Sequence, residues 1–458
     1  MNENERDLQT QTEQTVDDIP HVPPSETTVS APASQPAPLP TYNEYCKVTE
    51  PNFSDRGLGT EEQLPLPREK TEKDHNAFRD EPSATSEAVR KKHYLLKGTA
   101  PLEGEPPHVY HGRMLHEANL LHDENKSGLK ASVTKISLLL ALYTVIQLTL
   151  AYTVPLIFQY FGLLDSTVPL QRTVLLIILY VLIYPVTFPI VIYLGNLGET
   201  HKVRTFLRKP KCTPTYILKW FVIATGCTYV ISIVFNIIAQ IVGYDSGMTA
   251  EPFTSVLDAV SQLVILCVFA PIFEELLFRG VMLSHHLKYG AWHACIISAL
   301  YFGLFHANLS QLFYTFVGGL FMAMVVLKTG SIIPSIIIHA LLNFTSYLQL
   351  VSLSLIDNYD AYINGVDMLP KGSPFALVLF ALTTLLPYIL MIAAVIMLIV
   401  ELVTNKSTFR MPQGDSTLTP KEKAAAYFTT PAAWVAITVG VLAIVFQEIV
   451  KYLSSLAG

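Results

Sequence analysis

Three short polar runs stand inside otherwise apolar sequence. Glu274-Glu275-Leu276-Leu277-Phe278-Arg279-Gly280 places two carboxylates and a guanidinium directly after residues 262–273, which carry no charge. Phe302-Gly303-Leu304-Phe305-His306 puts an imidazole in the next apolar segment. His339-Ala340-Leu341-Leu342-Asn343 puts an imidazole and an amide one helical turn apart. Ionisable side chains at membrane depth cost several kcal/mol or more unless they are paired or wetted, so they are functional candidates by default.

Spacing separates their tasks. Neighbours on a helix point about 100° apart, so Glu274 and Glu275 do not readily share one role. Glu275 and Arg279 are four apart with the acid first, the favourable order for an ion pair. Glu275 is therefore read as neutralising Arg279. Glu274 is left without a local partner, as a candidate general base or acid once water reaches it. The plainer alternative joins both glutamates in a structural salt-bridge network. A lone histidine such as His306 is often a hydrogen-bonded core residue, whereas His339 and Asn343 share a helix face. At about 1.5 Å per residue, Glu274 lies about 20 Å before the turn near Lys288 and His306 about 25 Å after it. His339 and Asn343 lie about 13 and 20 Å from the turn near Gly330. These depths allow one shared cavity.

A carboxylate, two imidazoles and an amide suit hydrolysis. The carboxylate takes a proton from water, and an imidazole or the amide donates to the oxyanion that forms on the scissile carbonyl. A zinc version would use Glu274, His306 and His339 as ligands. The H-E-x-x-H pattern of common zinc peptidases is missing, and asparagine is an unusual zinc ligand, so the metal-free glutamate mechanism is preferred. No serine elbow, Cys–His arrangement or Gly-rich phosphate loop competes. Gly318-Gly319 reads as a place for close helix packing.

The elements that must position these groups are membrane helices. The chain of 458 residues is 51% hydrophobic, with mean hydropathy +0.38. Long apolar runs place it in the membrane class. A net charge of -6 gives no reason to expect nucleic acid as a partner. Five cysteines (Cys46, Cys212, Cys227, Cys267, Cys295) show no metal-ligand spacing and read as packing residues. The first apolar run begins only after Lys135, so no signal peptide is read and the first helix is expected to direct insertion.

Residues 1–130 form a polar arm with Pro/Ala/Ser clusters, expected to be mostly disordered. Within it, 87–96 and 114–121 could form short amphipathic helices, with Arg90, Lys91, Lys92 and Lys97 near anionic lipid. Helices are then placed near 136–163, 173–195, 216–242, 256–288, 291–306, 311–328, 332–352, 375–402 and 427–452. This divides the chain into the arm, N-terminal membrane helices over 131–250, a core over 255–350 and C-terminal membrane helices over 375–458. The expected fold is an all-α integral membrane protein, a polytopic bundle of about nine transmembrane helices. Pro271 is expected to kink the fourth.

Alternating basic and acidic loops place the N-terminus in the cytoplasm and the C-terminus outside. Asn236 and Gln240 are expected to hydrogen-bond across helices. His285, His286 and His293 are expected at the interface, and Asp258 and Gln262 near water. Trp220, Trp292 and Trp434 read as interface anchors.

Taken as a set and in this order, EELLFRG, FxxxH and HxxxN resemble the CPBP family of intramembrane proteases. That family includes the type II CAAX prenyl endopeptidases and the bacterial Abi group linked to bacteriocin self-immunity. The resemblance covers roughly residues 255–350. It implies that Glu274 activates the attacking water and His306 assists. His339 and Asn343 would line the oxyanion site or hold water, and Glu275 and Arg279 would support the site. It also implies a helical membrane fold with a polar cavity, here read in a bacterial cell membrane among lipids, with a peptide or membrane-protein substrate. Two other classes compete: a non-catalytic immunity factor or scaffold on the same fold, and a proton-coupled transporter. No internal repeat of the transporter kind is present in the sequence.

Overall fold

The computed structural model describes residues 107–164, 168–198, 206–244, 252–363, 365–411, 414 and 416–457, all within the unit Pro40–Gly458. The arm up to residue 106, with segment 87–96 and the basic residues Arg90, Lys91, Lys92 and Lys97, lies outside the described residues, as do Cys46 and the acids Asp245 and Glu251.

Every regular element among the described residues is helical. In chain order they are α1 (Pro107–Tyr160), α2 (Pro169–Asn196), α3 (Pro214–Ile241), α4 (Val256–Leu287), α5 (Ala291–Phe305), α6 (Leu309–Thr329), α7 (Ile333–Ser354), the short α8 (Tyr359–Ile363), α9 (Pro374–Thr404), α10 (Pro420–Phe428) and α11 (Pro431–Ala457). Eight are long and apolar enough to cross a membrane. The remaining expected span, the fifth (291–306), corresponds to α5, which has 15 residues. At 1.5 Å per residue it rises about 22 Å, short of the ~30 Å hydrocarbon core. Large apolar side chains point outward along the spans, for example Leu382 and Ile392 of α9. A bilayer, not water, is the solvent that accepts such a surface.

Helix α1 begins at Pro107, well ahead of the apolar run after Lys135. The arm expected to reach residue 130 therefore gives way to helix earlier, and the expected short helix at 114–121 is part of α1. The cause is tertiary. Leu129 and Val133 are fully buried against Tyr289, Leu418, Ala426 and Ala433, under the cover of α10. His122 bonds Thr417 at 3.1 Å and Glu422 at 2.9 Å. Thr419 and Glu422 form a capping box that starts α10. Burial pushes the Glu422 carboxyl up, but the Thr419 backbone N–H, the Thr419 hydroxyl and His122 outweigh it and hold it below the usual range.

The loops rich in lysine and arginine meet at one end of the bundle. Lys135 Nζ donates to Leu197 O at 2.5 Å, Ser331 Oγ to Arg208 O at 2.6 Å and Lys328 Nζ to Arg410 O at 2.7 Å. At the other end, Phe253 N donates to Ser354 Oγ at 2.8 Å and Lys451 lies 5.6 Å from the Tyr244 ring centre.

Two wide, π-helical turns interrupt α4, at Ile265–Phe269 and Leu276–Met282. Pro271 has no N–H to give to the preceding turn, and the first wide turn lies immediately before it. Carbonyls in these turns also accept from side chains on other helices. Leu266 O accepts from the Asn343 amide of α7 at 2.7 Å, and Phe278 O accepts from Ser298 Oγ of α5 at 2.8 Å. A third wide turn, Leu182–Thr187, contains Pro185 of α2.

Gly318-Gly319 does permit close packing. A Cβ on Gly319 would sit 3.0 Å from Phe302, 3.1 Å from Arg279 Nη2 and 3.4 Å from the Ala299 backbone. Gly319→Ala is expected to lower stability by about 1–3 kcal/mol, the usual cost of overpacking. Thermal unfolding in detergent measures it, and an unchanged midpoint would show that α5 and α6 can separate freely.

Several polar and aromatic residues depart from expectation. Trp220 is buried, not interfacial, because Tyr216, Phe321 and Phe409 enclose it. Trp292 and Trp434 are exposed, with indole N–H groups donating to Phe409 O and Phe428 O. His285 and His286 are buried rather than interfacial; Tyr427 of α10 lies 3.3 Å from both His286 and His293. Asn236 and Gln240 are exposed on α3, not buried between helices. Asp258 is buried and accepts from Thr254 N at 3.1 Å, at the start of α4. The described cysteines are free.

Candidate active site

The site is built on α4 and α7, which pack against each other. Ser335, His339 and Asn343 recur every four residues and so form one stripe of α7. Glu274 and Glu275 end the α-helical stretch of α4 between its two wide turns. Glu274, Glu275, Arg279 and His339 are all buried.

Arg279 Nη1 donates to Glu275 Oε1 at 2.8 Å, and both side chains are fully buried. The expected ion pair is present, and more holds it. Arg279 Nη2 donates to Gly319 O at 3.1 Å, and the guanidinium lies 4.4 Å from the Phe302 ring centre, a cation–π distance. Ser335 Oγ donates to the other Glu275 oxygen. The same Glu275 Oε1 lies 3.1 Å from His339 Nδ1. A carboxylate only accepts, so His339 carries a proton on Nδ1 in this contact. Its Nε2 is then turned toward Glu274.

Glu274 Oε2 lies 3.8 Å from His339 Nε2. That is too long for a direct hydrogen bond, and close enough for a single water to bond both. The other oxygen, Oε1, accepts from the Tyr184 phenol of α2 at 3.0 Å. Glu274 is therefore held from a helix far away in sequence. The partner was not foreseeable from spacing: Tyr184 is one of 22 tyrosines and belongs to an apolar run. Ser335 was the legible omission, since it lies four residues before His339.

His306 ends α5 and is half-buried. Its Nδ1 bonds Phe302 O at 2.7 Å. The Phe302 ring packs edge-on against both imidazoles, 4.9 Å from His306 and 5.7 Å from His339. The next residue, Ala307, has φ 48°, a strained backbone value for a residue with a Cβ. Asn343 lies on the His339 face, with its amide N–H given to the wide turn of α4. Four of the six expected residues thus touch directly, while His306 is linked to them through Phe302 and Asn343 joins α4 at its backbone.

Among the described residues, no three His, Cys, Asp or Glu side chains are grouped as ligands for an ion. Glu274, His306 and His339 are not drawn together as a zinc set in this geometry.

An aromatic wall closes one side. Tyr143 of α1 stacks on Phe305 with ring centres 4.6 Å apart, and Tyr184 stacks on Phe188 at 5.3 Å. Phe273 lies beside both Tyr184 and Phe188. The buried Tyr143 hydroxyl has no hydrogen-bond partner among the described residues.

Residues 256–345 match the family described as type II CAAX prenyl endopeptidase Rce1-like, in agreement with the CPBP resemblance. The match starts with α4, ends within α7 and contains all six residues named above. Neither the curated proteins nor the solved structures compared with the chain gave a match. The protein is an integral membrane protein whose residues 256–345 are similar to that family.

Proposed function

We propose that the protein is a membrane endopeptidase in which Glu274 activates water for attack on a peptide carbonyl. The observation that supports this most is the facing pair of Glu274 Oε2 and His339 Nε2, 3.8 Å apart and buried among apolar residues. A water bonded to both loses its proton to Glu274 as its oxygen attacks the carbonyl carbon. Glu275 keeps the His339 ring in place and Arg279 neutralises Glu275. The same proton then passes to the leaving amine as the C–N bond breaks. His306 assists the water from the end of α5, His339 holds the water through Nε2, and the second amide N–H of Asn343 stabilises the oxyanion. In this metal-free route every group that bonds the water or the oxyanion belongs to the chain.

The test uses full-length protein in liposomes with quenched-fluorescent peptides, one carrying a prenylated C-terminal CaaX cysteine and one unprenylated. Cleavage of either, persisting in chelator, is the expected result. Activity lost to chelator and restored by zinc would overturn the metal-free route. No cleavage of either peptide would favour a non-catalytic scaffold. If the basic loops face the cytoplasm, as their charge favours, the N-terminus lies inside and the C-terminus outside.

A further inference from the structure

The acids of α4 are completed from outside the matching segment. Tyr184 on α2 reaches Glu274, and its ring is locked by its neighbours. It stacks on Phe188 with planes 8° apart and on Tyr180 with planes 18° apart. Tyr184 also lies inside the wide turn Leu182–Thr187. Turns of this kind appear most often where a helix is bent to serve a site. Here the bent backbone is still satisfied, since Thr187 Oγ1 donates to Leu182 O at 2.8 Å.

The hydrogen bond solves a geometric problem. The last torsion of a glutamate is broad and roughly two-fold, so a carboxylate held at neither oxygen swings freely. Glu275 is fixed at both oxygens, by Arg279 and His339 on one and Ser335 on the other. Glu274 receives one side-chain hydrogen bond, from Tyr184 to Oε1. That leaves Oε2 directed to His339.

We propose that Tyr184 is a positioning residue for Glu274, whose phenol O–H fixes one carboxylate oxygen so that the other faces the attacking water. The proposal rests on the assignment of Glu274 as the base. Tyr184 keeps its proton throughout; the proton taken from water goes to Glu274 Oε2. Two helices outside residues 256–345 thereby enter the site, α2 through this bond and α1 through the aromatic wall that carries Tyr143.

Tyr184→Phe removes the O–H and keeps the stacked ring. Misplacing a reacting group by about 1 Å can cost 10²-fold, so kcat is expected to fall roughly 10- to 100-fold. KM and the thermal midpoint are expected to stay unchanged. Tyr184→Leu, which also loses the stacking, is expected to lower the midpoint as well. Unchanged kcat in Tyr184→Phe, or a rise in KM alone, would overturn the proposal.

A second readout does not need turnover. The infrared carboxyl band of Glu274 is isolated by subtracting the Glu274→Gln spectrum from that of wild type, then repeating the subtraction in the Tyr184→Phe background. The band is expected to move when the phenol is lost, and a band that stays put overturns the proposal. A band that moves in a protein that cleaves neither peptide supports the positioning and overturns the peptidase reading.

Discussion

Glu274→Gln is expected to abolish peptide cleavage and leave the protein folded. The substitution keeps size and shape and removes the base. A positioned general base contributes about 10²- to 10⁴-fold, so the residual rate should fall near the detection limit of a peptide assay. Folding should survive for a specific reason. Glu274 is the acid without a guanidinium partner, and Tyr184 can still donate to the amide oxygen of glutamine. Removing a buried, unpaired charge also removes its desolvation cost. Gel filtration in detergent and thermal unfolding check the fold, and the peptide assay checks the chemistry. Cleavage at the wild-type rate would sink the mechanism.

Arg279→Met is expected to act in the opposite way, on stability first. It strands Glu275 as a fully buried carboxylate that has lost its cation. Breaking a buried pair from one side typically costs about 3–5 kcal/mol, well above the value of the pair against an apolar substitute. Ser335 and His339 still donate to Glu275, but Gly319 O loses its guanidinium partner. The double variant Glu275→Gln, Arg279→Met should regain part of the loss because no charge is left stranded. Denaturation in detergent reads both. A single variant as stable as wild type would show that Glu275 is neutralised some other way.

The sequence made much of this legible because helix periodicity is a strong signal in an apolar background. The pairing of Glu275 with Arg279 followed from a spacing of four, and the stripe with His339 and Asn343 followed from the same rule. The central helices were placed within a few residues. What stayed hidden was set by contacts between helices. Tyr184 reaches Glu274 across 90 positions of sequence, and nothing local marks it among the other tyrosines. Position near span ends makes Trp220 and His286 look interfacial. They are buried because Phe409 and Tyr427, from later segments, fold over them. The extension of α1 ahead of the apolar run has the same origin, since Leu129 and Val133 pack against Leu418 and Ala426 from the end of the chain. Asn343 was expected to face the cavity, and its bond to Leu266 O depends on a wide turn that periodicity does not reveal.

Those wide turns in α4 also bear on how the protein could be engineered. Regularising a helix is a standard route to higher stability, and α4 looks like an obvious target. A wide turn takes up one extra residue, so forcing the same residues between Leu276 and Met282 into ordinary turns would rotate everything on one side by about 100° relative to the other. The acids would then be out of phase with His285 and His286, which α2 and α10 hold in place through Gly195 O and Tyr427. Either the Leu287 end of α4 would lose its packing or Glu274 would turn away from His339. The irregularity therefore works as a phase setting between two fixed ends, and a smoother helix would be a worse one.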